Sequence, residues 1–305
     1  MQPKLVRNYW EYPREPARIK HKPSSFLTIL TREIRRTEMT KSNDASNSIL
    51  IVAGVFVVMI LLAARMNGDE GKDLLETRSV VSRLGSSASI TEGAVRMPPR
   101  GSEAGYDLPY LHCGPEYTSD AGSKEMIMLH GAAFKKENWR DSGILGALCS
   151  RSNKLSVTAL DLDVKVDGEM LGDAFRALKE KGTTSGEPAV FVTPSASGKS
   201  MIELGLMAAM GAGDRSKLLV NMVHSWIPVA CPMVRRAQEN ALEAFKNADI
   251  PILAVHGTKD RMGIDTSDRL MKLAGARELP IEGGHPCYLD SPKTFVQATL
   301  NFIGE

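Results

Sequence analysis

Three residues far apart in the chain, Ser195, Asp260 and His285, are of the types that together attack an acyl carbonyl. A serine hydroxyl is a weak nucleophile at neutral pH. It needs a base of pKa about 6.5 to take its proton, and that base needs an acid to fix its tautomer and stabilise its charged form. Ser195 follows the apolar run AVFVT (189–193) and precedes a helical pattern, so it stands on a strand-to-helix turn. Such a turn lifts a hydroxyl above a sheet and demands small residues two before and two after it, usually as Gly-x-Ser-x-Gly. Here the frame reads Thr193-Pro194-Ser195-Ala196-Ser197, with both glycines replaced. Ser197 and Ser200 compete for the role, but centring on Ser197 puts the long Lys199 at the crowded second position. By itself a serine in this turn reads equally well as a helix N-cap.

The rest of the chain supplies partners. His285 lies in the glycine-rich Glu282-Gly283-Gly284-His285-Pro286, after the short apolar run 278–281. PILAVHG (251–257) leads into Thr258-Lys259-Asp260, placing a carboxylate beyond the preceding strand, with Asp265 and Asp268 as fallbacks. The order serine, aspartate, histidine is the one expected of an α/β-hydrolase. Earlier, EMIML (125–129) runs into His130-Gly131-Ala132-Ala133. The backbone N–H groups of Ala132 and Ala196 are therefore expected to form an oxyanion hole, with His130 as a turn residue rather than a base.

The same stretch supports a different chemistry. Thr193 to Ser200 matches GxxxxGK[ST] except at the first glycine, so that Lys199 and Ser200 could serve a nucleotide phosphate and its Mg²⁺. Such loops normally follow the first strand of a domain, whereas several strands precede this one, and a nucleotide site leaves Asp260 and His285 unexplained.

These residues need a frame that gathers strand ends. Continuously apolar runs at 125–129, 155–162, 189–193, 217–223 and 251–257 alternate with amphipathic stretches at 170–181, 199–212 and 233–248. That alternation predicts an α/β fold, a mostly parallel central sheet flanked by helices, whose chemistry gathers at the carboxyl edge. The expected unit is an α/β-hydrolase domain over 106–305. Short connections between the later strands leave room for a small lid or none. The formal charge of +2 on 305 residues is too near neutral to argue for a nucleic-acid partner. Cys113, Cys149, Cys231 and Cys287 show no CxxC spacing, so neither a metal site nor a dense disulfide framework is indicated.

The first third reads differently. Residues 1–48 form a basic tail. Ile49 to Ala64 is uncharged throughout, and with Ser48 to Met66 counted it approaches the length of a membrane-spanning helix, so 49–66 is expected to be a transmembrane anchor. The surplus of Lys and Arg before it favours a cytosolic N-terminus and a single-pass membrane protein. Residues 67–105, rich in Gly, Ser and charge, read as a tether that could hide a short edge element.

The motifs Leu129-His130-Gly131 with Trp139, Pro194-Ser195-Ala196-Ser197-Gly198, His256-Gly257-Thr258-Lys259-Asp260 with Met262-Gly263, and most specifically Gly284-His285-Pro286-Cys287-Tyr288-Leu289-Asp290 resemble the alpha/beta-hydrolase domain-containing protein 14 family. That family has a soluble B form and a membrane-anchored A form. The resemblance covers about two-thirds of the chain, from roughly Tyr106 onward. It implies a serine hydrolase acting on small acyl groups, on a small acyl-bearing substrate or an acylated protein, with coenzyme A as a possible acyl acceptor and no required cofactor. In that family the elbow glycines are likewise replaced by serine, which favours Ser195 over Ser197. The chain departs from the pattern at Thr193, bulkier than the family's serine, and at Asp161-Leu162-Asp163, which lacks the following Pro-Gly turn. The substituted elbow also admits a catalytically degenerate hydrolase fold that serves as an interaction module.

Overall fold

Eight strands build one sheet in the computed structural model, which describes residues 89–101, 104–114, 123–152, 154–211 and 213–304. They are β1 (Thr91–Arg96), β2 (Asp107–Cys113), β3 (Lys124–Met128), β4 (Leu155–Leu160), β5 (Ala189–Pro194), β6 (Val223–Val229), β7 (Leu253–Gly257) and β8 (Arg277–Ile281). Side by side they run β1-β2-β4-β3-β5-β6-β7-β8. The pairs β1–β2 and β2–β4 are antiparallel, and from β4 to β8 every neighbour is parallel. Parallel neighbours must be joined by crossovers, and the helices in those crossovers cover the sheet.

The six longer described helices are α1 (Ile144–Arg151), α2 (Gly168–Glu180), α3 (Gly198–Met210), α4 (Glu239–Asn247), α5 (Arg261–Ala274) and α6 (Pro292–Ile303). Strand periodicity of two divides β5, whose Phe191 joins a core built with α2 to α5, while Val190 and Val192 join a core built with α1 and α6. Burial of both faces is why β5 reads as a continuous apolar run. On the first face Trp226 stacks on Phe245 with ring centroids 4.8 Å apart. On the second, Trp139 lies 4.7 Å from Tyr288 and 6.2 Å from Phe295. Truncating an aromatic so placed costs about 3–5 kcal/mol.

Local chemistry fixes several element ends. Asp167 caps α2 by accepting from Met170 N, 2.7 Å away. Arg100 lies 2.9 Å from Asp173 and 3.2 Å from Asp167, tying the chain beyond β1 to the start of α2. A disulfide joins Cys113 of β2 to Cys149 of α1, a single bridge that no spacing motif advertises.

Three expectations are corrected. The apolar run 217–223 is not a strand: Leu218–Met222 is a helical turn, and β6 begins at Val223. His224 and Pro228 disguise the strand VHSWIPV, and a short apolar run suits a buried helical turn as well as a strand. The stretch 67–105, read as a tether that could hide a short edge element, contains the edge strand β1, so the sheet begins before the expected boundary at residue 106. The expected single-pass membrane protein is not supported either, because among the described residues no helix is long and apolar enough to cross a membrane. The longest, α5, has 14 residues and spans about 21 Å, short of the ~30 Å hydrocarbon core. The stretch 49–66, on which the membrane partner and the cytosolic N-terminus rested, lies outside the described residues.

Candidate active site

The carboxyl ends of β5, β7 and β8 bring the three expected residues together. His285 Nε2 is 2.9 Å from Ser195 Oγ, and His285 Nδ1 is 2.7 Å from Asp260 Oδ2. Asp260 is well shielded, its side chain 9% exposed, whereas that of His285 is 38% exposed, so the site is open on the imidazole side. Asp265 and Asp268, the fallbacks, are exposed on α5.

Ser195 leaves β5 in a left-handed conformation, φ 53°, before the 3-10 turn Ser195–Ser197 leads into α3. A non-glycine residue held there costs of order 1–3 kcal/mol, and the surroundings must over-determine it. They do so with the two residues that replace the usual glycines. Thr193 is fully buried, and its Oγ1 accepts from Trp226 Nε1 at 2.7 Å; Ser197 Oγ donates to Pro194 O at 2.8 Å. The close approach that normally demands glycine falls at Gly198 instead, where an added Cβ would lie 2.3 Å from Cys231 Sγ.

The two other candidate serines are engaged elsewhere. Ser197 and Ser200 are buried, and Ser200 Oγ donates to Ser197 O at 3.0 Å. Lys199 Nζ donates to Lys165 O at 2.9 Å and lies 3.4 Å from Glu203. The residues that matched a phosphate-binding loop are thus engaged in holding α3 to the loop before α2. Burial is the main cause that raises the Glu203 carboxyl above its ordinary value, with Lys199 opposing it.

The loops that carry Asp260 and His285 are bolted together. Thr258 N donates to Ile281 O at 2.8 Å and Lys259 N to Gly283 O at 2.9 Å. Gly257 packs so closely that an added Cβ would lie 2.0 Å from Gly284 O. Asp290, the last residue of the His-Pro-Cys-Tyr-Leu-Asp signature loop, accepts from Gly284 N at 2.8 Å, and Ser291 Oγ donates to Glu282 O at 3.0 Å. The sequence offered Asp290 only as part of a motif; its work is to hold the backbone that presents His285. Beside it, burial foremost, with Asp290 and Asp260 adding to it, pushes the Cys287 thiol up to about 12, and burial raises the Tyr288 phenol.

On the other side of Ser195, the His130-Gly131 turn comes close enough that a Cβ on Gly131 would be 3.6 Å from Ser195 Cβ. Trp139 Nε1 donates to Leu129 O at 2.9 Å, and its ring packs on Tyr288, joining this turn to the His285 loop. Ala132 follows Gly131 in this turn, and Ala196 is the second residue of a 3-10 turn, where a backbone N–H has no intrahelical acceptor. His130 is buried, its Nδ1 3.0 Å from Gly131 O. Its Nε2 is 3.3 Å from Asp161 but off the line of a hydrogen bond.

No protein-family model matches the chain. Among curated proteins, an orangutan (Pongo abelii) protein carrying the name protein-lysine deacylase ABHD14B is 30% identical over 187 residues, 58% of this chain and 82% of that one. Its human counterpart is 29% identical over 189 residues with the same coverage. Zebrafish (Danio rerio) Protein ABHD14A is 26% identical over 193 residues, 59% of this chain and 64% of that one. Among solved structures, a CIB-like hydrolase from Thermoplasma acidophilum has a TM-score of 0.50 at 18% identity, covering 70% of this chain and 99% of its own. A serine hydrolase of carbazole degradation has a TM-score of 0.50 at 15% identity, covering 71% and 99%. Both share the α/β-hydrolase fold with this chain.

Proposed function

The chain belongs to the alpha/beta-hydrolase domain-containing protein 14 family and is a hydrolase, and from that premise we propose that it removes small acyl groups through an acyl-serine intermediate. The observation that carries this reading is the continuous chain of short contacts from Asp260 through His285 to a strained Ser195. His285 Nε2 takes the Ser195 proton as Oγ bonds to the acyl carbon, and Asp260 stabilises the imidazolium that forms. The amides of Ala132 and Ala196 hold the negative charge that grows on the carbonyl oxygen. When the tetrahedral adduct collapses, the bond to the leaving oxygen or nitrogen breaks, and His285 returns the proton to it. Water or the thiol of coenzyme A then attacks the acyl-serine, His285 again taking the proton, and Ser195 is released.

A small acyl group fits the open site. After β6 the chain makes only the 3-10 turn Pro232–Arg236 and α4 before β7, too little to build a deep lid. An acetyl ester or an acyl group on a lysine side chain could enter, and the deacylase name of the relatives supports the second.

Treating the full chain with a fluorophosphonate probe tests the reading. Labelling is expected in the native protein, lost in Ser195→Ala and kept in Ser197→Ala. No labelling of the native protein would instead favour an interaction module on a hydrolase fold.

A further inference from the structure

Of the eleven arginines among the described residues, eight have a carboxylate, carbonyl, amide or aromatic partner. The other three, Arg235, Arg236 and Arg261, have none among the described residues. All three lie on the two segments that follow β6 and β7, at the same edge of the sheet as the nucleophile. Glu239, the first acidic residue after the pair, faces Arg269 at 3.9 Å. An unpaired guanidinium is ordinary on a surface; three gathered beside one site, where the other eight described arginines are all paired, concentrate positive potential there.

A cavity of about 390 Å³ opens at this place, lined by Pro232, Met233, Arg235, Arg236 and Met262. Its walls are continuous with the catalytic apparatus. Cys231, which precedes Pro232, packs against Gly198 at the root of the nucleophile turn. The turns Ser195–Ser197 and Pro232–Arg236 touch, and Met262 is two residues beyond Asp260. Two methionines and a proline offer an adaptable apolar wall for a carbon chain. Two guanidinium groups at the mouth offer forked donors that suit a carboxylate or a phosphate.

We infer that this cavity is a specificity subsite that receives an anionic group carried by the substrate, held by Arg235 and Arg236 while the acyl carbonyl lies at Ser195. The inference rests on the acyl-serine reading for its placement, and it selects charged acyl donors over neutral ones. The charge can lie on the leaving group or on the acyl chain.

Three esters tested on the full chain separate these cases. They are 4-nitrophenyl acetate, neutral; 4-acetoxyphenyl phosphate, charged on the leaving group; and the 4-nitrophenyl monoester of succinic acid, charged on the acyl chain. In R235A/R236A, kcat/KM for one charged ester relative to the neutral one should fall about tenfold or more, through KM, as expected for loss of a hydrogen bond to a charged group. The ester whose ratio falls identifies where the charge lies; unchanged ratios for both overturn the subsite. Both arginines are exposed, so the melting temperature should hold, and R235K/R236K should recover part of the preference. A second measurement does not depend on chemistry. Phenyl phosphate and monophenyl succinate are titrated calorimetrically into Ser195→Ala protein, where one should bind, and into the same protein also carrying R235A/R236A, where that binding should be lost. Arginine-dependent binding in the calorimeter, together with no turnover of any of the three esters by the native protein, means that the acyl-serine reading fails while the subsite stands. Turnover that depends on Ser195 with unaltered ratios means the reverse.

Discussion

Two groupings of serine, histidine and carboxylate lie side by side in this molecule. In one, His285 Nε2 is 2.9 Å from Ser195 Oγ and Nδ1 is 2.7 Å from Asp260. In the other, His256 Nδ1 is 3.0 Å from Ser267 Oγ, and Nε2 is 3.6 Å from Glu278. The residue types are nearly the same, but the settings differ in every respect that matters for catalysis. Ser267 sits inside α5 and is 2% exposed, and His256 is 3% exposed. Ser195 lies on a turn with positive φ at the carboxyl edge, half-buried, beside an open cavity. The buried grouping links α5 to β7 and β8 and satisfies polar atoms that would otherwise be stranded. Composition therefore does not make a serine a nucleophile; a raised, accessible hydroxyl with an oriented base does.

The sharpest way to break this contrast is to remove one serine at a time. Ser195→Ala or His285→Ala should lower kcat on a small acetate ester roughly 10⁴- to 10⁶-fold, and Asp260→Asn about 10⁴-fold, without unfolding the protein. Ser267→Ala should keep kcat within about twofold and lose only about 1 kcal/mol of stability, measured by denaturant unfolding. A large loss of activity in Ser267→Ala would erase the distinction.

Gly263 is the point at which the two groupings meet. A methyl there would lie 2.7 Å from Asp260 Oδ2 and 3.0 Å from His256 Cβ. Gly263→Ala should therefore disturb both, lowering kcat about 10²-fold by displacing Asp260 and stability by about 1–3 kcal/mol. A fall in stability alone would mean that the carboxylate of Asp260 has room to adjust.

The smallest effect concerns Cys231, which packs against Gly198 beneath the Ser195 turn. Burial raises its thiol from 9.0 to about 11. A group whose pKa is raised on folding stabilises the fold below the unfolded value and loses that contribution as pH climbs through the folded one. Stability should thus decline between about pH 9 and 11, and Cys231→Ala should flatten that decline in unfolding curves taken across the interval.

Much of this was legible because its signals are local. A strand end with a serine, a strand end with an aspartate and a glycine-rich loop with a histidine are each written in a few consecutive residues, and their order along the chain selected one fold. Local signals also misled. The strand Val223–Val229 was displaced onto the apolar run before it, and β1 was hidden in a Gly- and Ser-rich stretch, because strand formation depends on what lies alongside.

The types, order and spacing of Ser195, Asp260 and His285 were determined by the sequence, as was the alternation that must place strand ends together. What the tertiary structure alone decided is how the degenerate turn works and where the free charge lies. Trp226 satisfies Thr193, Gly198 yields to Cys231, Asp290 holds the His285 loop, and Arg235 and Arg236 face a cavity near the Ser195 turn. Each of these depends on groups brought within a few ångströms by crossovers between distant segments, and close approach across a sheet leaves no periodic trace along the chain.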